Sequence, residues 1–221
     1  MNYEQARFNM IEQQIRPWDV LDPHILELLA AVRREDFVPL AHKALAFVDM
    51  EIPLREGGAR GQVMLAPKVE ARMLQDLEVH KHEKVMEIGA GSGYMAALLA
   101  HRAQRVISFE MVEELAQMAR ANLQRSGVYN AEVRTGDGAQ GSAAEGPFDV
   151  IVLSGSVAQV PQHLLTQLKV GGRLSVVVGT EPVMRATFVT RVSDTAYLTV
   201  QPWDTVAPRL LGFPEPSRFE F

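Results

Sequence analysis

A chain of 221 residues, 47% hydrophobic and 22% charged, has the size and composition of one large globular domain or of a domain with an appendage. A net charge of -5 speaks against a purely electrostatic grip on nucleic acid or acidic lipid, and the absence of cysteine excludes disulfides, thiolate nucleophiles and zinc–cysteine sites. No run approaches the roughly 18 apolar residues of a membrane span, and the first residues lack a secretory pattern, so a cytoplasmic protein with neither nucleic-acid nor membrane partners is expected.

The first third reads helical. A helix is expected from near Tyr3 through "MIEQQIRPW", ended by Pro17, because proline clashes with the preceding turn. In "LDPHILELLAAVRRE", Asp22 is placed to cap a helix that opens with Pro23, and Ile25, Leu28, Leu29 and Val32 follow at helical spacing. Residues 44–66 look irregular, and a third helix should begin near Pro67. From residue 84 the rhythm changes: "KVMEIG", "RVISFE", "AEVRTGD", "FDVIVLSG" and "RLSVVVG" are apolar runs of strand length. Helical patterns separate the earlier ones, "YMAALLAHR" and then "VEELAQMARANLQRSG", the second stopped by Gly127. That alternation predicts right-handed βαβ units and a parallel sheet. The segment "RATFVTRVSDTAYLTVQPWD" predicts an antiparallel hairpin at the sheet edge.

The strongest chemical signal is "MEIGAGSGY", in which a strand runs into Gly89, Gly91 and Gly93 and then into a helix. Glycines at the carboxyl end of such a strand tolerate positive φ and let a ligand approach the backbone. Glu110 ends the next strand, where a carboxylate can accept hydrogen bonds from both hydroxyls of a ribose. A dinucleotide fingerprint would need a third glycine at the position of Tyr94. The spacing present, an acid at Glu87 followed by G-x-G-x-G, resembles motif I of class I S-adenosylmethionine-dependent methyltransferases. In "TGDG", Asp137 and Gly138 either form an ordinary turn or offer an acceptor to an adenine amine. Met111 is placed to pack on the adenine or to sit in the core.

Longer landmarks point to one family. "MIEQQI", "RREDFVP", "AFVDMEIPL", the Gly61-Gln62 pair and "FDVIVLSG" followed by "VPQHLLTQLKVGGRL" resemble, in order, the protein-L-isoaspartate O-methyltransferase family. The resemblance implies a Rossmann-like α/β fold with a mostly parallel seven-stranded sheet, a C-terminal antiparallel hairpin and an N-terminal helical lobe. It implies a lobe with the acceptor-site loop over residues 1–79 and a cofactor-binding domain over 80–221. It further implies S-adenosylmethionine as methyl donor, S-adenosylhomocysteine as product, and a carboxylate on a damaged protein or peptide as acceptor. Cofactor contacts are expected from Glu87, Gly89, Gly91, Gly93, Glu110, Met111, Asp137 and Gly138.

One segment departs from the family. Where the resemblance implies a polar loop G-Q-T-I-S-Q-P with an active-site serine, this chain reads "GQVMLAP", so that Leu65 stands at the serine position. Asp49, Gln62, Val63, Met64 and Leu65 are expected to wall the acceptor site, with a short buried strand as the alternative for 61–67 and a cap or turn as the alternative for Asp49. The altered loop keeps two other outcomes open: a methyltransferase for a more apolar acceptor, and a non-catalytic module that only binds the cofactor. No metal site is expected, since His80 and His82 lie in a charged turn.

Overall fold

The structure, a computed structural model, describes residues 2–58 and 61–215. Helix α1 (Tyr3–Met10) is capped by Asn2, whose side chain accepts the Gln5 N–H at 3.2 Å. The helical run does not stop before Pro17: it widens into a π turn over Ile11–Ile15 and tightens into a 3₁₀ turn over Arg16–Trp18. Pro17 is tolerated there because the first positions of a turn lack an intrahelical partner for the N–H anyway. Helix α2 (Pro23–Ala31) begins as its sequence predicts, with Asp22 accepting the His24 N–H at 2.8 Å. A minimal antiparallel pair, β1 (Ile52–Pro53) and β2 (Val63–Met64), precedes α3 (Pro67–Leu77).

The remainder alternates: β3 (Lys84–Ile88), α4 (Tyr94–Arg102), β4 (Arg105–Glu110), α5 (Glu113–Arg125), β5 (Ala131–Thr135), β6 (Phe148–Val157), α6 (Gln162–Leu165), β7 (Leu168–Thr180), β8 (Val183–Arg191) and β9 (Tyr197–Asp204). At Gly127, φ is +69°, and the Val128 N–H reaches back to the Leu123 carbonyl, which ends α5 as expected. The seven-stranded sheet has the order β5-β4-β3-β6-β7-β8-β9, parallel from β5 to β7, with β8 and β9 antiparallel at the edge. Chain direction therefore diverges on either side of β3, whose neighbours are β4 and β6. A crevice opens at the carboxyl ends of strands at such a switch point.

Alternation along the strands divides the core. Met86 and Ile88 face one hydrophobic cluster with Ile151 and Leu164, whereas Val85 faces another that also contains Leu29, Leu74 and Leu98. The second cluster is continuous from the N-terminal lobe to the sheet, so the lobe is anchored by shared apolar burial, about 1.5–3 kcal/mol for each large side chain. Within it lies a buried polar hub. Arg34, wholly inaccessible, forms an ion pair with Glu70 and donates to the Ala46 carbonyl at 3.1 Å and the Leu65 carbonyl at 2.6 Å. Burial raises the Glu70 carboxyl to about 7, against the opposing pull of Arg34.

Candidate active site

The loop after β3 sits at the switch point. Gly89, Gly91 and Gly93 have φ of +94°, +52° and +82°, a region that L side chains rarely adopt. The loop is tied to the next strand, since the Gly89 and Ala90 N–H groups donate to the Phe109 carbonyl at 2.8 and 3.1 Å. Glu110, at the end of β4, holds it further. One carboxylate oxygen accepts the Gly91 N–H at 2.9 Å and the other accepts the Val112 N–H at 3.0 Å. These bonds aim the carboxylate into a cleft of about 770 Å³, including its open mouth.

Of the residues singled out from the sequence, Gly89, Gly91, Glu110, Met111, Asp137 and Gly138 line this cleft, together with Gln62 and Val63 from the lobe. Asp137 is held by accepting the Ala139 N–H at 2.8 Å. At Gly138 a Cβ would come within 2.7 Å of the Phe109 Cβ, so only glycine lets the chain pass there. Ile88, Phe109 and Leu115 supply apolar wall.

Other expected residues are elsewhere. Glu87 is fully buried beneath the cleft, accepting from the Ser108 hydroxyl at 2.6 Å and the Ser154 hydroxyl at 2.7 Å; burial raises its carboxyl to about 7. Ser154, not Glu87, reaches the lining. Gly93 faces α5, where a Cβ would stand 3.2 Å from the Ala119 Cα, and so serves helix packing.

The run at 61–67 answers to both of its expectations, residue by residue. Gln62, held by the Arg55 Nε at 2.8 Å, and half-buried Val63 line the cleft. Met64 and Leu65 do not: they turn into the core, Leu65 with 6% exposure, while Arg34 grips the Leu65 carbonyl behind them. Asp49 lies in an adjacent groove, paired with Lys68 at 2.7 Å.

The segment after β9 had no motif to announce it, yet it contributes Arg209, Leu210 and Leu211 to the cleft. It docks on β6 like a short extra strand: Ser156 N–H donates to the Pro208 carbonyl at 2.8 Å and Leu210 N–H to the Ser156 carbonyl at 2.9 Å. Ser154 lies within "FDVIVLSG", where no spacing rule distinguishes it from its strand neighbours.

The donor and acceptor set discriminates between ligands. A pyrophosphate needs free backbone N–H groups and positive charge. Here Glu110 already takes the Gly91 N–H, and two carboxylates, Glu110 and Asp137, face the cleft against a single cation, Arg209, among its described lining residues. The same set suits a ligand with hydroxyls, an amine and a net positive charge, as a sulfonium nucleoside has.

Comparison with known proteins agrees. Residues 5–206 match the family described as protein-L-isoaspartate(D-aspartate) O-methyltransferase. A protein-L-isoaspartate O-methyltransferase of Methanoculleus marisnigri is 42% identical over 79% of this chain and 78% of its own length. One of Syntrophus aciditrophicus is 38% identical over 87% and 86% respectively. A solved protein-L-isoaspartate O-methyltransferase superposes with a TM-score of 0.78 at 25% identity, covering 95% of this chain and 66% of that longer one. With the family's span covering nearly all of its elements, the chain belongs to the protein-L-isoaspartate(D-aspartate) O-methyltransferase family.

Proposed function

We propose that this protein methylates the free carboxylate of isoaspartyl residues in damaged proteins or peptides, using S-adenosylmethionine. The observation that carries the proposal is the Glu110-anchored glycine loop at the switch point, opening on a cleft that the lobe residues Gln62 and Val63 complete. In this reading residues 1–79 furnish the lobe and acceptor wall, and residues 80–221 the cofactor-binding unit. A reducing, cytoplasmic compartment suits a chain without cysteine.

Bound S-adenosylmethionine supplies an electrophilic methyl group on a sulfonium. Toward it Glu110 would accept from the ribose hydroxyls, Asp137 would accept from the adenine amine, and Met111 would pack against the base. Buried Glu87 acts at one remove, fixing Ser154 in the lining and Ser108 beneath it. No residue has to remove a proton, because a carboxylate acceptor is ionised at neutral pH. What the protein contributes is alignment of the two reactants and exclusion of water from oppositely charged groups that neutralise each other. Leu65 is no obstacle to that role, since its side chain faces the core.

The test is S-adenosylhomocysteine release with an isoaspartyl peptide beside its normal aspartyl twin. Release with the isoaspartyl peptide alone supports the assignment. Cofactor binding with no release from either peptide overturns it in favour of another acceptor or a binding module.

A further inference from the structure

Resting on the function proposed above, the geometry points to Arg209 as the residue that holds the acceptor's carboxylate, with Glu215 of the same chain as the ion-pair partner that this carboxylate displaces. Arg209 lines two cavities at once. One is the cleft bearing Glu110 and Asp137; the other is the neighbouring groove bearing Asp49, Lys68 and Glu181. Among the described residues it is the only cation of the first and, with Lys68, one of two in the second. Lys68 is already engaged, paired with Asp49 at 2.7 Å and lying 4.0 Å over the Trp18 ring.

The sheet order separates the two reactants. The cofactor-facing residues stand at the ends of β3, β4 and β5, on one side of the switch point. Arg209 is pinned on the other side, over the ends of β6 and β7, by the bridge of its backbone to Ser156 and by Nη2 donating to the Gly179 carbonyl at 2.9 Å. A long contact from Nη1 to the Ser156 hydroxyl, 3.5 Å, completes the hold. A guanidinium so fixed still has N–H groups to spare, five being available in a planar fork that matches a carboxylate.

One carboxylate already engages this guanidinium, from a residue that lines neither the cleft nor the groove. Arg209 Nε pairs with Glu215 Oε1 at 2.8 Å, and the Glu215 side chain is 53% exposed. Being exposed, this partner is held weakly, and its replacement by an incoming carboxylate leaves the charge around the guanidinium unchanged. The isoaspartyl carboxylate would thus be drawn to the junction between groove and cleft, a role that no hydroxyl at position 65 fills in this chain.

The experiment compares the full-length protein with Arg209→Gln, Arg209→Lys and Glu215→Gln in steady-state methylation of an isoaspartyl peptide, with S-adenosylhomocysteine affinity measured by calorimetry for each. Arg209→Gln should raise the peptide KM by about ten- to a hundredfold, the loss of hydrogen bonds to a charged group, with S-adenosylhomocysteine affinity unchanged. Arg209→Lys should recover part of the loss, keeping the charge without the fork. Glu215→Gln should lower the KM by about two- to fivefold by removing the competitor. An active wild type with unchanged peptide KM in Arg209→Gln overturns the inference alone. So does a loss of S-adenosylhomocysteine affinity with peptide KM intact, which would make Arg209 a cofactor ligand. A wild type that binds S-adenosylhomocysteine yet leaves the isoaspartyl peptide unmethylated overturns the functional reading and the inference with it.

Discussion

Leu65 shows how one side chain's direction governs what its replacement can do. It lies in the core cluster with 6% exposure, next to Met64, and only its carbonyl is engaged, by Arg34. Restoring a serine there would open a cavity and bury a hydroxyl among apolar neighbours. We expect Leu65→Ser to cost about 3–5 kcal/mol of stability, the range for truncating a buried leucine with a polar penalty added. It should bring no gain in turnover, and denaturant melts beside methylation rates would check both. A variant that keeps its stability and turns over faster would mean that the side chain reaches the cleft after all. Nothing in "GQVMLAP" revealed this direction, because a two-residue strand has no periodicity of its own and packing decides which residues turn inward. Asp49 was opaque for the same reason: its sequence neighbours do not disclose Lys68, with which it pairs.

At the scale of elements, the parts of the N-terminal lobe meet through Arg34. Its three bonds tie the turn containing Ala46, the start of α3 through Glu70, and the end of the β2 segment through the Leu65 carbonyl. An uncharged replacement would strand the buried Glu70 carboxylate and free two carbonyls. Arg34→Met should therefore lose about 3–5 kcal/mol, the usual effect of removing one partner from a buried pair. The double variant Arg34→Met/Glu70→Leu should recover much of that loss, and thermal melts of the set would measure it; equal losses in both would show that the carbonyl contacts, not the ion pair, matter. The elements themselves were largely legible. Strand-length apolar runs and helical spacing located β3 to β9 and their intervening long helices, and Gly127 and Asp22 marked ends through local rules. The π and 3₁₀ turns that carry α1 on to Trp18 were not legible, since they answer to tertiary packing of Ile11 and Ile15. The glycine-loop side of the cleft was readable for a related reason. Gly89, Gly91 and Glu110 act through the backbone at strand ends, where short sequence spacing sets geometry. Arg209 and Ser154 depend on strands brought together from distant parts of the chain.

For the whole molecule, the buried carboxyl of Glu87 links stability to pH. Its folded value is raised from 4.5 to about 7 by burial. Between those values the folded protein keeps a proton that the unfolded chain releases, so stability falls as pH rises from about 4.5 to about 7. The contribution is on the order of 3 kcal/mol at most. Glu87→Gln, which stays neutral, should flatten this part of the profile and leave the variant relatively more stable at pH 8 than at pH 5, as urea titrations across that range would show. An unchanged slope in the variant would place the protonation elsewhere.

The cleft's walls run from Leu54, in the lobe, through the glycine loop to Leu211, beyond the last strand. A ribosome would have delivered almost every described residue before the final wall could dock on Ser156, and that docking needs a bare backbone at Gly155, where a Cβ would stand 2.8 Å from Leu210. A chain clipped ahead of Arg209 therefore lacks the wall that Arg209, Leu210 and Leu211 give the cleft, however complete the rest of its sequence.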